Sequence, residues 1–124
     1  MIVEMVTCLA LNIYHEARGE PIDGQYAVSE TTINRVYHPD YPDDICSVVY
    51  QPSQFSWTRY NPKVKDKRAY HKAKRIAIET LSGTSTKRLS PYVLYYHRLD
   101  VLPHWASNRV LEVTIGSHKF YRLW

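Results

Sequence analysis

The stretch Tyr14-His15-Glu16-Ala17-Arg18-Gly19-Glu20-Pro21 puts a glutamate at the end of an apolar helix, where Gly19 and Pro21 stop the backbone. Upstream, Val6, Leu9, Ala10, Ile13 and Ala17 recur at helical spacing, so the segment buries one face. Glu16 lies roughly 60° around the helix from Ile13, at the edge of that stripe. A carboxyl group set half into an apolar wall has its pKa raised toward neutrality, as a general acid requires. A plain surface role also fits this position, with Glu16 paired to Arg18 and Glu20 to a neighbouring cation. Position alone leaves both readings open.

Working outward, a helix is predicted over residues 2–17, followed by a turn at Gly19-Glu20-Pro21. Asp23 is the predicted N-cap of a second helix over residues 24–37. Gly24, Ala27, Val28 and Thr31 give that helix a small-residue face for close packing on the first. Residues 38–62 are rich in Pro, Asp, Ser and Tyr and read as irregular, with one short helical turn over 45–50. Gln54-Phe55-Ser56-Trp57 lies within this loop. A third main helix is capped by Asp66, carries Ala69, Ala73, Ile76, Ala77 and Leu81 on one face, and ends at Gly83. Beyond Pro91 the pattern changes to strands over 92–97, 110–115 and 118–121, the last two joined by the hairpin signal Gly116-Ser117. The predicted class is α+β: three main helices, then a small C-terminal antiparallel sheet.

A chain of 124 residues makes one domain, residues 1–124, with one core. No apolar run approaches the roughly 20 residues that span a bilayer. The N-terminus carries Glu4 in place of a basic n-region, and its apolar residues are periodic, so it does not read as a signal peptide. Two cysteines are too few for a disulfide scaffold. Cys8 reads as a small core residue, with a Cys8–Cys46 bridge left open.

The net charge of +4 is concentrated: seven of the sixteen Lys and Arg residues fall between Lys63 and Arg75, interrupted by the single acid Asp66. Such a basic helix face attracts anionic polymers without selecting a sequence, and no nucleic-acid recognition motif accompanies it. Eleven tyrosines and three tryptophans supply flat apolar faces with polar edges, which suit sugar rings.

Other chemistries find less support. His15-Glu16 begins like the zinc motif H-E-x-x-H, but the second histidine position holds Gly19. His97, His104 and His118 match no standard zinc spacing, so no metal is expected. There is no G-x-S-x-G elbow and no Gly-rich phosphate loop, and no cofactor is expected. Glycoside chemistry uses what is present: a protonated glutamate at a cleft edge and aromatic loops to hold sugars.

These residues fall into blocks that resemble the SleB-type cell wall hydrolases. The blocks are Ile13 through Pro21, Asp23-Gly24-Gln25 with Ala27-Val28, Asn34-Arg35-Val36, Val48-Val49-Tyr50-Gln51 and Gln54-Phe55-Ser56-Trp57. Tyr95-Tyr96-His97, Pro103-His104-Trp105-Ala106 and Thr114 through Tyr121 complete the series, in family order over nearly the whole chain.

The resemblance implies a lysozyme-like catalytic domain that cleaves peptidoglycan glycan strands between N-acetylmuramic acid and N-acetylglucosamine. It implies lytic transglycosylase chemistry, which leaves a 1,6-anhydromuramic end and consumes no water. The family's catalytic acid, first glutamate of Glu16-Ala17-Arg18-Gly19-Glu20, maps onto Glu16. A hydrolytic muramidase would need a second carboxylate, for which Glu20 stands first and Asp23 and Glu30 behind it. Glu20 fits equally as a structural residue accepting backbone N–H bonds at the start of the second helix. Gln54, Phe55, Tyr96 and His97 are expected to line the glycan cleft, with Tyr96 or His97 positioning Glu16 or an N-acetyl group. Phe55, Trp57 and Trp105 fit equally as core aromatics. Asn34 and Arg35 are expected to bond the loop after the second helix. Lacking an export signal and a separate wall-binding domain, the sequence fits a monomeric phage or prophage endolysin. Such a protein accumulates in the host cytoplasm and reaches the wall through a membrane lesion, its basic face over 63–75 holding anionic envelope polymer.

Overall fold

The computed structural model describes residues 2–124. The first helix, α1 (Ile2–Ala17), has the predicted bounds and buries Leu9, Ala10, Ile13 and Ala17. It packs most extensively on α4 (Lys67–Ser82). The Asp66 carboxylate caps α4 by accepting the Ala69 N–H at 3.0 Å, and Gly83 ends it in the left-handed region at φ 73°. The short helix α3 (Ile45–Val49) is capped by Asp44, whose Oδ1 accepts the Ser47 N–H at 2.8 Å. Those bonds hold the Asp44 carboxyl below its ordinary value.

The second helix departs from expectation. α2 (Ile22–Val36) starts at Pro21, whose carbonyl accepts the Gly24 and Gln25 N–H groups. Proline's fixed φ already suits a helix start, so Asp23 lies inside the first turn and bonds Arg88 at 2.9 Å instead of capping. Polar by composition, α2 is nonetheless almost wholly buried between the other helices and the sheet. Its polar groups are satisfied internally. Thr31 and Thr32 bond back to the carbonyls of Ala27 and Val28, and Ser29 pairs with Thr80 of α4 at 2.7 Å. Glu30, 4% exposed, accepts the backbone N–H groups of Arg88 and Leu89. The small-residue face predicted for packing on α1 serves other neighbours as well. Ala27 and Val28 join Phe120 and Val93 in a core cluster against the sheet, and a Cβ on Gly24 would lie 3.3 Å from Glu20 Cβ.

Three antiparallel strands, β1 (Val93–Arg98), β2 (Val110–Ile115) and β3 (His118–Arg122), form the sheet in the order β1-β3-β2. The β2–β3 hairpin turns through Gly116, at φ 57°. Asn34 and Arg35, expected to bond the loop after α2, chiefly anchor the sheet. Asn34 Nδ2 donates to the carbonyls of Ser90 and Val93, and Arg35 Nε to that of Leu94 at 2.8 Å. Arg35 also reaches the loop, at Gln54.

Cys8 and Cys46 form the disulfide the sequence left open, tying α1 to α3, and Cys8 packs against the main core as well. The seven-cation cluster is not one face. Lys67, Arg68, Lys74 and Arg75 are exposed on α4, whereas Lys63 and Lys65 precede the helix and lie beside the end of α1. Among the described residues, no helix is long and apolar enough to cross a membrane.

Candidate active site

The end of α1, the loop around Ser53–Arg59 and strand β1 enclose an open cleft of about 580 Å³. Glu16 lines it, because the last turn of α1 carries the edge of the buried stripe up to the cleft wall. All four residues expected to bind glycan, Gln54, Phe55, Tyr96 and His97, line the same cleft. Ser53, beside Gln54, takes a left-handed φ of 67°, a strained conformation for a non-glycine residue at this rim.

Glu16 accepts a 2.8 Å hydrogen bond from Tyr96 Oη. Burial raises the Glu16 pKa above the ordinary carboxylate value; the Tyr96 bond and the charges of Arg35 and Arg98 oppose that rise without cancelling it. Burial and the Glu16 charge push the Tyr96 hydroxyl well above its ordinary range, so it remains a donor. Tyr96 is itself fixed by rings: Phe55 stacks on it at 6.3 Å, and His118 meets it edge-on at 5.2 Å.

His97 lines the cleft with both nitrogens engaged. Nδ1 donates to the Arg98 carbonyl at 2.7 Å and Nε2 pairs with Tyr121 Oη at 2.8 Å. The hydrogen bond to Glu16 therefore comes from Tyr96. Gln54 is exposed at the cleft, its Oε1 accepting a 3.4 Å bond from Arg35 Nη1. Phe55, 4% exposed, belongs at once to the main core and to the cleft. Trp57 is buried, lies tilted against the His15 ring at 4.6 Å and donates Nε1–H to Asn12 Oδ1 at 2.8 Å. Trp105 packs among Tyr95, His97 and Tyr121, outside the cleft lining.

The other carboxylates are engaged elsewhere. Glu20 Oε1 accepts the Ser117 N–H at 2.7 Å in the β2–β3 turn and faces His118 Nδ1 at 3.5 Å. Its partner is thus the sheet's hairpin and not the start of α2. Glu20 also lines a small hollow of about 280 Å³ that shares His15, Glu16 and Arg98 with the main cleft. Asp23 pairs with Arg88, and Glu30 is sealed against the 88–89 backbone. Among the described residues, Glu16 is the only carboxylate lining the main cleft. No group of three or more His, Cys, Asp or Glu side chains is arranged to hold a metal among the described residues.

Sequence reasoning did not assign Arg98, Arg59, His15 or His118 to the cleft, although all four line it. His15 and His118 lie inside matched blocks and Arg98 adjoins the Tyr95-Tyr96-His97 block, so the blocks themselves were the available pointer. Burial and the Arg18 charge lower the His15 pKa.

Residues 19–121 match the Cell Wall Hydrolase family. The chain is 29% identical over 119 residues to the spore cortex-lytic enzyme of Halalkalibacterium halodurans, covering 93% of this chain and 34% of that protein. It is 29% identical over 120 residues to the spore cortex-lytic enzyme of Bacillus subtilis, covering 93% and 36%. The chain thus spans about a third of the length of these curated relatives. The catalytic domain of the germination-specific lytic transglycosylase SleB from Bacillus anthracis superposes with a TM-score of 0.79 at 26% identity, over 94% of this chain and 93% of that one. The catalytic domain of the Bacillus cereus SleB protein gives 0.79 at 26% identity, over 97% and 91%.

Proposed function

The chain belongs to the cell wall hydrolase family, and from that premise we propose that it cleaves the bond between N-acetylmuramic acid and N-acetylglucosamine as a lytic transglycosylase, with Glu16 as its catalytic acid and base. Protonated Glu16 donates to the glycosidic oxygen as the C1–O bond breaks. The resulting carboxylate then takes the proton of the sugar's own C6 hydroxyl, whose oxygen bonds C1 and closes the 1,6-anhydro ring. Glu16 ends protonated, and no water is consumed.

The observation that carries this reading is the raised-pKa Glu16, sole carboxylate of the main cleft among the described residues, held by Tyr96. A cleft of this kind has an acid to start the reaction and no paired carboxylate to activate water or trap the sugar. Gln54, Phe55, Tyr96 and His97 form the wall against which the glycan lies. Glu20 is assigned a structural role, supported by its short bond to Ser117 N–H. A hydrolytic muramidase is the second reading, favoured by the presence of Glu20 in the small hollow beside Glu16. Mass spectrometry of digested muropeptides separates the two, because anhydro ends are one water lighter than hydrolysed ends.

The exposed α4 cations supply attraction to anionic envelope polymer. Exchanging Lys67, Arg68, Lys72 and Arg75 for Glu is expected to weaken wall binding at low salt, and unchanged binding removes this role. The disulfide supports action outside a reducing cytoplasm. An endolysin of a phage or prophage, held in the host cytoplasm and released to the wall at lysis, meets that condition. Trapping thiols in the protein before and after release tests it: reduced before and bonded after is the expected result.

A further inference from the structure

A second concavity, of about 480 Å³, adjoins the main cleft. His15 lines both, so the two meet at this side chain. Three cations line the second concavity: Arg18 from the end of α1, and Lys63 and Lys65 from the segment before α4. Among the described residues none of the three makes an ion pair. The one acid in the lining, Asp66, is occupied in capping Ala69 N–H.

The lysines do not hang on a free loop. Tyr14 Oη accepts the backbone N–H groups of Lys65 at 3.2 Å and Asp66 at 3.0 Å, pinning this segment to α1. Arg18 is oriented as well, its Nη1 donating to the Tyr14 carbonyl at 3.2 Å and its guanidinium lying 4.7 Å from the Tyr14 ring. An oriented arginine and two lysines on a backbone pinned at Lys65, none of them ion-paired, line a hollow that adjoins the cleft at His15, an arrangement suited to carboxylates.

We infer that this branch binds the carboxylates of the stem peptide attached to the muramic acid of a glycan strand lying in the main cleft. The inference rests on the glycan reading above. A stem peptide is the anionic substituent that leaves such a strand sideways, and the branch offers it three cations and no catalytic carboxylate, whereas the main cleft sets Arg59 and Arg98 beside Glu16, Tyr96 and aromatic rings. The two lysines belong to this specificity device, apart from the outward cations of α4.

The test uses the full chain carrying Glu16→Gln, so that binding is read without cleavage. Affinity is measured for purified glycan strands bearing stem peptides and for the same strands stripped of them by an amidase. The expected result is tighter binding to the peptide-bearing strands, weakening as salt screens the contact. In a second protein carrying Lys63→Glu and Lys65→Glu as well, that preference falls by about tenfold or more, the scale of one lost charge-assisted bond. Binding to stripped strands stays unchanged. Lys63→Gln with Lys65→Gln gives an intermediate loss and guards against misfolding in the reversal variant. No preference in the parent, or equal weakening on both strands, overturns the inference. The transglycosylase reading is tested separately, by the anhydro ends released with Glu16 intact.

Discussion

Tyr96 on β1 donates a 2.8 Å hydrogen bond to Glu16 at the end of α1, joining residues 80 positions apart. The bond pulls against burial: desolvation raises the Glu16 pKa and the Tyr96 hydroxyl lowers it. Tyr96→Phe keeps the ring and its packing but removes the opposing contribution, so the Glu16 pKa rises further. Because the acid must be protonated to start the reaction, activity is lost as pH rises through that pKa. The alkaline limb of kcat/KM is therefore expected to move to higher pH in Tyr96→Phe. A pH–rate profile of peptidoglycan turnover checks this, and a limb moving to lower pH contradicts it.

Glu16→Gln removes the transferable proton and is expected to lower turnover by roughly 10²–10⁴-fold, the range for a positioned general acid. It also alters stability in a predictable direction. A raised folded-state pKa means that the native protein holds more protons than the unfolded chain between about pH 4.3 and the raised value. Stability from this group thus falls across that window as pH rises, and is flat on either side. Glu16→Gln abolishes the fall, so above the window the variant is at least as stable as the parent. Urea midpoints measured across pH read this directly.

For Glu20, the two available substitutions separate structure from chemistry. Glu20→Ala leaves the Ser117 N–H without its acceptor and is expected to cost about 1–3 kcal/mol. Glu20→Gln keeps an amide oxygen for that N–H, so most of the stability and turnover is retained. A Glu20→Gln protein as inactive as Glu16→Gln, yet folded, points to the hydrolytic reading.

Gly116 faces the same carboxylate. A Cβ there would lie 2.5 Å from Glu20 Oε1 and 2.7 Å from Pro21 Cδ, on a residue already at φ 57°. Gly116→Ala is expected to destabilise by roughly 1–3 kcal/mol, from overpacking and the positive φ together. Thermal melts of Gly116→Ala and of Gly19→Ala make the comparison, since a Cβ on Gly19 meets nothing within 4 Å.

The Cys8–Cys46 bridge spans 38 positions. Chain-entropy arithmetic for such a loop gives about 4 kcal/mol, so reduction is expected to lower Tm by roughly 10 °C or more. Scans with and without reductant, checked against Cys8→Ala with Cys46→Ala, test this. An unchanged Tm places the effect of the bridge elsewhere.

Sequence by itself determined what is governed within a turn or two of chain. The apolar period set α1 and put Glu16 at its edge, Asp66 and Gly83 bounded α4, and Gly116-Ser117 turned the hairpin, because periodicity, caps and positive-φ turns are local requirements. Matching motif blocks then nominated Gln54, Phe55, Tyr96 and His97, which the fold brings to one cleft. Tertiary structure decided the pairings. That α2 is buried despite its polar residues follows from partners supplied by α4, the 88–89 backbone and the sheet. That Tyr96 and not His97 holds Glu16 depends on where Tyr121 captures the His97 ring. Glu20 meets Ser117 across 97 positions, and one run of cations divides between a helix surface and a hollow beside His15. Contacts over such separations are set by how elements pack, a quantity that no local pattern in the chain contains.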